Sequence, residues 1–423
     1  MKNILHIAAH MGGGAGKAIS GILKKNTCYN NSLLLLEEPH DTRYIDICKK
    51  NDVKITISDD EKTIRQLAKS ADVIILDWWC HPLFLKVFIA LNNLKTRMIL
   101  WSHINGLYYP YIPFEFLEKF DFCMFTSECT FENNQWTSEQ KLIIKDKSEI
   151  IYGMGEFRPS ENKKKIDYGV NEKFNIAYSG TLNFSKMNDC YPQVCRQTCY
   201  EISNTYFEFF GRYTEEFRNF FEESNVIFRG FITNIEEILT EMDIYCYLLN
   251  NENFATTENA LLEAMASGLP IIVMDNPAER SIITHNENGF IAKDAKQVIQ
   301  YIRELYDNEE LRRSIGENAR SKVIEKYSYE TNLKNYYDCI NNVLAIHAEG
   351  KEFNNLVENS AWGFFIQFCG NNYKNIIDEL MAGDCKINLP KIFYESSKSS
   401  PKHFLKYYND EKLSELVGII TKY

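Results

Sequence analysis

Residues 253–274 read NFATTENALLEAMASGLPIIVM. The stretch holds, in order, a loop, a helix and a strand. Thr256 and Thr257 are residue types whose side-chain oxygens cap a helix start. The run ENALLEAMAS that follows is rich in Ala, Leu, Met and Glu, all strong helix formers. Gly268 is placed to end the helix in a left-handed conformation, and Pro270 bars its continuation. IIVM is a short apolar run of strand length. A helix that starts from a loop at a sheet edge presents bare N–H groups and the positive end of its dipole. Such an end suits a phosphate or diphosphate.

The same rhythm extends in both directions. Over the first 155 residues, ILHIA, SLLLL, VKITI, DVIIL, RMILW, FCMF and EIIY read as buried strands. Helical segments such as GKAISGILKK and EKTIRQLAKS separate them. Alternation of this kind predicts a parallel sheet with helices on both faces. Residues 156–173 are polar and weakly patterned and read as the linker into a second domain. FNIAYSG, YFEFFG, VIFRG and IYCYL then restart the pattern ahead of the quoted stretch. Downstream, Asp294 with Gln297 resembles a capping box. Val298, Ile302 and Leu305 share one helical face, and Leu311, Ile315, Ala319 and Val323 recur at four-residue spacing.

Length and composition agree. A chain of 423 residues is long enough for two domains. A net charge of −11 argues against a general nucleic-acid binder, which needs a basic face. The twelve cysteines form no CxxC pair, and Cys190, Cys195 and Cys199 match no common zinc spacing, so they read as reduced thiols. The start, MKNILHIAAHMGGG, is a strand and loop without a signal-peptide apolar region. No apolar run reaches the roughly 18 residues that span a membrane. The expected location is the cytoplasm. Residues 83–98, LFLKVFIALNNLKTRM, carry an apolar face and three cations. Two readings stay open for them: a core-packed helix, or a peripheral contact at the inner face of a membrane.

The string ENALLEAMASGLPIIV resembles the nucleotide-sugar signature of the family-four retaining glycosyltransferases (glycosyl transferases group 1). The order nGf, a helix, elr, and Ala-Arg ahead of a terminal helix also resembles that family, over roughly residues 1–345. The resemblance implies the GT-B fold, two Rossmann-like domains facing across a cleft. The implied division is 1–157 for an acceptor-side domain, 158–330 for a nucleotide-sugar domain and 331–348 for a terminal crossing helix. Residues 349–423 fall outside the resemblance and read as a mainly helical extension of open role.

Site residues follow from the same likeness. Glu263 takes the place of the glutamate that grips the ribose of the donor nucleotide. Lys186 takes the place of a lysine that neutralises the leaving diphosphate, a form of transition-state stabilisation. The arginine that precedes it in the family is replaced here by Thr181. A second family glutamate, eight residues before Glu263, is replaced by Ala255. Three readings stay open there: donor contacts from the backbone N–H groups of Thr256, Thr257, Glu258 and Asn259, with Ala260 beside them; a substitute carboxylate from Glu258; or loss of catalysis.

HMGGGAGKAIS follows the first strand. It fails the phosphate-loop pattern, because Met11 and Ala18 stand where Gly and Ser or Thr belong. It fails the dinucleotide fingerprint at its last glycine. It matches the family's Gly-Gly loop beside the donor, at Gly13 and Gly14. His103, at the carboxyl end of RMIL, matches a histidine that the family places near the donor sugar, with Asn105 as a weaker candidate. The implied activity is retaining transfer from a nucleotide-sugar, by default a UDP-sugar, to a sugar, lipid-linked or protein acceptor. The resemblance implies neither metal nor other cofactor and points to bacterial cell-surface glycans. A catalytically silent scaffold of the same fold is the alternative.

Overall fold

The structure is a computed structural model and describes residues 1–24, 28–39, 42–169, 172–254, 256–383 and 389–422. Ala255 lies outside the described residues. The chain forms two compact units: Met1–Glu156 with Phe254–Thr257 and Glu330–Tyr423, and Phe157–Asn253 with Glu258–Tyr329.

In unit 1 the strands are β1 (Asn3–Ala8), β2 (Asn30–Leu35), β3 (Lys54–Ile57), β4 (Val73–Trp78), β5 (Lys95–Thr96), β6 (Met98–Ser102), β7 (Phe122–Phe125) and β8 (Ser148–Ile150). Seven of them form one sheet in the order β3-β2-β1-β4-β6-β7-β8, and every pairing is parallel. β4 and β6 are buried along their whole length, as a parallel sheet covered on both faces requires. Leu5, Ile74, Leu76 and Trp78 face one core. Ile19, Ile22, Ile75, Trp101 and Tyr336 fill the other.

Unit 2 repeats the plan with β9 (Phe174–Ser179), β10 (Thr205–Phe210), β11 (Val226–Gly230), β12 (Ile244–Tyr247), β13 (Ile271–Met274) and β14 (Phe290–Ala292). Their order is β11-β10-β9-β12-β13-β14, again all parallel. The strand order therefore reverses at β1/β4 in unit 1 and at β9/β12 in unit 2. Open α/β sheets bind ligands outside the carboxyl ends of the strands at such a switch point.

The folded chain sharpens two expectations. Within the described part of residues 156–173 the segment is packed rather than a free linker. Lys165 is buried with its Nζ 3.6 Å from Asp243, and the Tyr168 hydroxyl donates to the Gly268 carbonyl at 2.8 Å. Of the two readings open for residues 83–98, the core-packed helix is the one the fold shows. Helix Phe84–Leu91 buries Phe84, Leu85, Val87, Phe88, Ala90 and Leu91, so its apolar face is covered rather than offered to a membrane. The C-terminal extension does the covering. Phe353 stacks on Phe88 with centroids 5.0 Å apart, and Phe364 and Phe368 lie 6.0 and 5.0 Å from Trp78. Strand β15 (Glu349–Gly350) pairs antiparallel with β5, and Lys351 Nζ meets Asp121 at 2.6 Å. Among the described residues no helix is long and apolar enough to cross a membrane.

Candidate functional site

In unit 2 the polar residues gather at the β9/β12 switch point. Helix Asn259–Ala266 has Glu258 as its N-cap residue. This corrects the expectation that Thr256 or Thr257 caps it. The Glu258 side chain makes no capping bond; it turns instead to Lys186, whose Nζ lies 3.2 Å from its Oε2. Lys186 sits on the loop after β9 and reaches over the Tyr247 ring at 5.5 Å. Tyr247, from the end of β12, donates its hydroxyl to the same carboxylate. A stack of Tyr178, Tyr247 and Tyr245, with centroids 5.4 and 5.7 Å apart, stiffens the floor. Lys186 is 30% exposed and Glu258 12%, so the pair is open on the lysine side. Four residues into the helix, Glu263 is half-buried. The helix ends as expected: Gly268 has φ +79° and its N–H donates to the Met265 carbonyl at 2.9 Å.

A further carboxyl stands behind this pair. Glu279 is fully buried and accepts from Asn276 Nδ2 at 3.1 Å through Oε1. Its Oε2 has no hydrogen-bond partner among the described residues. Burial, reinforced by the charge of Glu258, pushes its pKa up to about 8.

In unit 1 the carboxyl ends of β1, β4 and β6 carry a buried relay. His6 Nδ1 lies 2.9 Å from Asp77 Oδ2, and its Nε2 lies 2.7 Å from the Tyr336 hydroxyl. His103 Nε2 lies 3.4 Å from Asp77 Oδ1. Burial opposes the Asp77 charge, but the two imidazoles outweigh it and hold the carboxyl below its usual range. Gly13 and Gly14 are exposed and open helix Gly13–Leu23. Gly13 has φ +57°, a conformation that glycine adopts without strain. Thr257 belongs to this unit: its hydroxyl donates to the Thr126 carbonyl and accepts from the Gly153 N–H at 3.2 Å.

Residues 160–322 match the family model described as Glycosyl transferases group 1. The fold of solved Anabaena Alr3699/HepE in complex with UDP-glucose overlays 81% of this chain and all of that one, at a TM-score of 0.66 and 14% identity. The chain has the GT-B fold, and its residues 160–322 resemble the group 1 glycosyl transferases. N-acetyl-alpha-D-glucosaminyl L-malate synthase of Bacillus anthracis is 32% identical over 136 residues, 32% of this chain and 35% of that protein. Poly(ribitol-phosphate) alpha-N-acetylglucosaminyltransferase of Staphylococcus aureus is 26% identical over 124 residues, 28% and 24% of the two chains. The chain thus spans about half or less of the curated relatives it matches.

Unit 2 brings Lys186 and Glu258 into contact and starts the helix at Asn259, with Ala260 next. Thr257, Gly13, Gly14 and His103 belong to unit 1, as does buried Thr256. Thr181 offers its carbonyl to the Tyr178 hydroxyl at 3.1 Å. Asn105 is buried and accepts from the Leu107 N–H, which closes a local turn. Burial pushes the Cys190 and Cys199 thiols up to about 11. Asp77, His6, Tyr336, Tyr247 and Glu279 were not singled out from the sequence. Only Asp77 left a signal there, as a carboxyl near the end of an apolar strand; Glu279 lies in helix Pro277–Ile282.

Proposed function

We propose that the chain is a retaining glycosyltransferase that moves a sugar from a UDP-sugar to an acceptor hydroxyl in bacterial cell-surface glycan synthesis. The observation that carries this reading is the Lys186 ammonium placed beside Glu258 at the start of helix Asn259–Ala266. One fixed cation and the first N–H groups of a helix, near Asn259 and Ala260, supply the positive field that a leaving diphosphate needs. Glu263 takes the ribose hydroxyls. Gly13, Gly14, Thr256 and Thr257 complete the donor contacts. His103, oriented by Asp77, serves a hydroxyl of the transferred sugar. UDP and UDP-glucose in solved complexes of the same fold support the donor class.

The bond from the anomeric carbon to the diphosphate breaks, and the acceptor oxygen bonds to the same carbon from the same face. The acceptor proton passes to the departing phosphate oxygen. With Lys186 and the helix N–H groups carrying the charge, the reaction needs no metal, and EDTA should leave the rate unchanged. A second reading, a silent scaffold of this fold, draws on Thr181, on Ala255 and on Glu258 already meeting the charge of Lys186. Turnover separates the two. The chain is incubated with UDP-glucose, UDP-galactose and UDP-N-acetylglucosamine, and UDP release is followed. Release from one of them that is lost in Lys186→Ala supports the transferase; no release from any supports the scaffold.

A further inference from the structure

A second polar cluster lies at the same sheet edge of unit 1, and the mechanism above does not use it. His10 follows β1, Glu37 follows β2, and Trp79 and His81 follow β4. His403 and Tyr407 arrive from the C-terminal extension. Tyr407 donates its hydroxyl to Glu37 Oε2 at 2.5 Å. His81 Nε2 lies 3.5 Å and His10 Nε2 3.9 Å from Glu37 Oε1. The His403 ring stands edge-on to His81 at 4.7 Å, and Trp79 lies 4.9 Å from His10 and 4.7 Å from His81.

The three imidazoles are held in one tautomer. His10 Nδ1 accepts from the Gly12 N–H at 3.1 Å, His81 Nδ1 from the Leu83 N–H at 3.3 Å and His403 Nδ1 from the Ser399 N–H at 3.1 Å. A ring nitrogen that accepts carries no proton, so the proton of each ring sits on Nε2. The His81 Nε2–H thus meets the Tyr407 hydroxyl oxygen at 3.4 Å, and the His10 Nε2–H faces the Glu37 carboxylate. His81 and His403 are buried, whereas His10, Glu37 and Trp79 are partly exposed. The inner residues are a scaffold, and the outer three form a surface: an indole, a carboxylate held by a tyrosine, and an imidazole.

We propose that His10, Glu37 and Trp79 bind the acceptor as an uncharged sugar ring, with Tyr407 of the extension as the positioning residue that aims Glu37. The proposal rests on the glycosyltransferase reading and gives it an acceptor class. An indole face stacks on the C–H face of a pyranose, and a fixed carboxylate accepts from its hydroxyls. The same carboxylate repels a phosphate or a carboxylate, so an anionic acceptor head does not fit. The extension then has a function beyond covering helix Phe84–Leu91: it sets the geometry of the acceptor edge.

The test uses the full chain and saturation-transfer NMR with methyl glycosides of glucose, galactose and N-acetylglucosamine, and with glycerol 3-phosphate as anionic probe. At least one glycoside should bind the wild type. Trp79→Ala should abolish that signal. Glu37→Gln should weaken binding about tenfold and Tyr407→Phe about threefold. UDP should bind all three variants as it binds the wild type, which also shows that they fold. Absence of glycoside binding overturns the proposal. So does equal binding by wild type, Trp79→Ala and Glu37→Gln, or tighter binding of glycerol 3-phosphate. If UDP fails to bind the wild type while a glycoside binds, the transferase reading falls and the sugar site stands.

Discussion

The two sheet edges are built in opposite ways. In unit 2 the polar site is compact: a lysine from one loop, the N-cap residue of one helix and a tyrosine from the adjoining strand. In unit 1 the polar residues come from β1, β2, β4, β6 and their loops, from helix Tyr329–Leu344 and from a stretch around residue 400. The first arrangement holds a fixed charge near a helix start, which suits one invariant chemical group. The second spreads imidazoles and carboxylates over a wide surface, which suits a ligand recognised by its shape and hydroxyls. On the transferase reading proposed above, the contrast is that between a common donor nucleotide and a particular acceptor.

The contrast can be broken from either side. The largest effect is expected at the joint between unit 1 and its extension. Phe88→Ala removes the ring on which Phe353 stacks and should destabilise unit 1 by about 3–5 kcal/mol, read as a lower first melting transition. If unit 1 melts unchanged, the extension is not part of its core. Next, Lys186→Ala should lower kcat for transfer by about 10²–10³-fold with the fold intact, because the leaving diphosphate loses its cation.

Smaller effects sharpen the picture of unit 2. Glu279 titrates at about 8, against 4.5 for an ordinary glutamate. Between those values the folded chain holds one more proton than the unfolded chain, so stability falls as pH rises from about 4.5 to about 8. Glu279→Gln removes that slope and should be more stable than the wild type by about 1–2 kcal/mol above pH 8. Equal pH profiles of melting would show that Glu279 is ionised in the fold. The smallest expected change is at Glu258→Gln. Releasing Lys186 from its partner should tighten UDP binding by about two- to fivefold, while transfer slows.

What the sequence revealed follows the same contrast. The parallel sheets, their strand positions and the helix of the quoted stretch were legible because apolar runs and helix formers are local signals. Lys186 and Glu263 were proposed because each lies in one short string that resembles the family. The helix start was misplaced by one or two residues, since Thr256 and Thr257 are good capping types, yet the Thr257 hydroxyl is taken by the Thr126 carbonyl. Nothing local marks Tyr336 as a partner of His6, 330 residues away, or Tyr407 as a partner of Glu37, 370 residues away. The extension read as mainly helical with an aromatic composition; its docking on Phe88 and Trp78 is a property of the folded surface.

Isothermal titration of UDP into the full chain, beside Lys186→Ala and Glu263→Ala, tests the central claim most directly. A single UDP site in the wild type, weakened at least about tenfold in each variant, is the predicted result. No measurable UDP binding to the wild type, or the same affinity in all three proteins, contradicts a donor site built on Lys186 and Glu263.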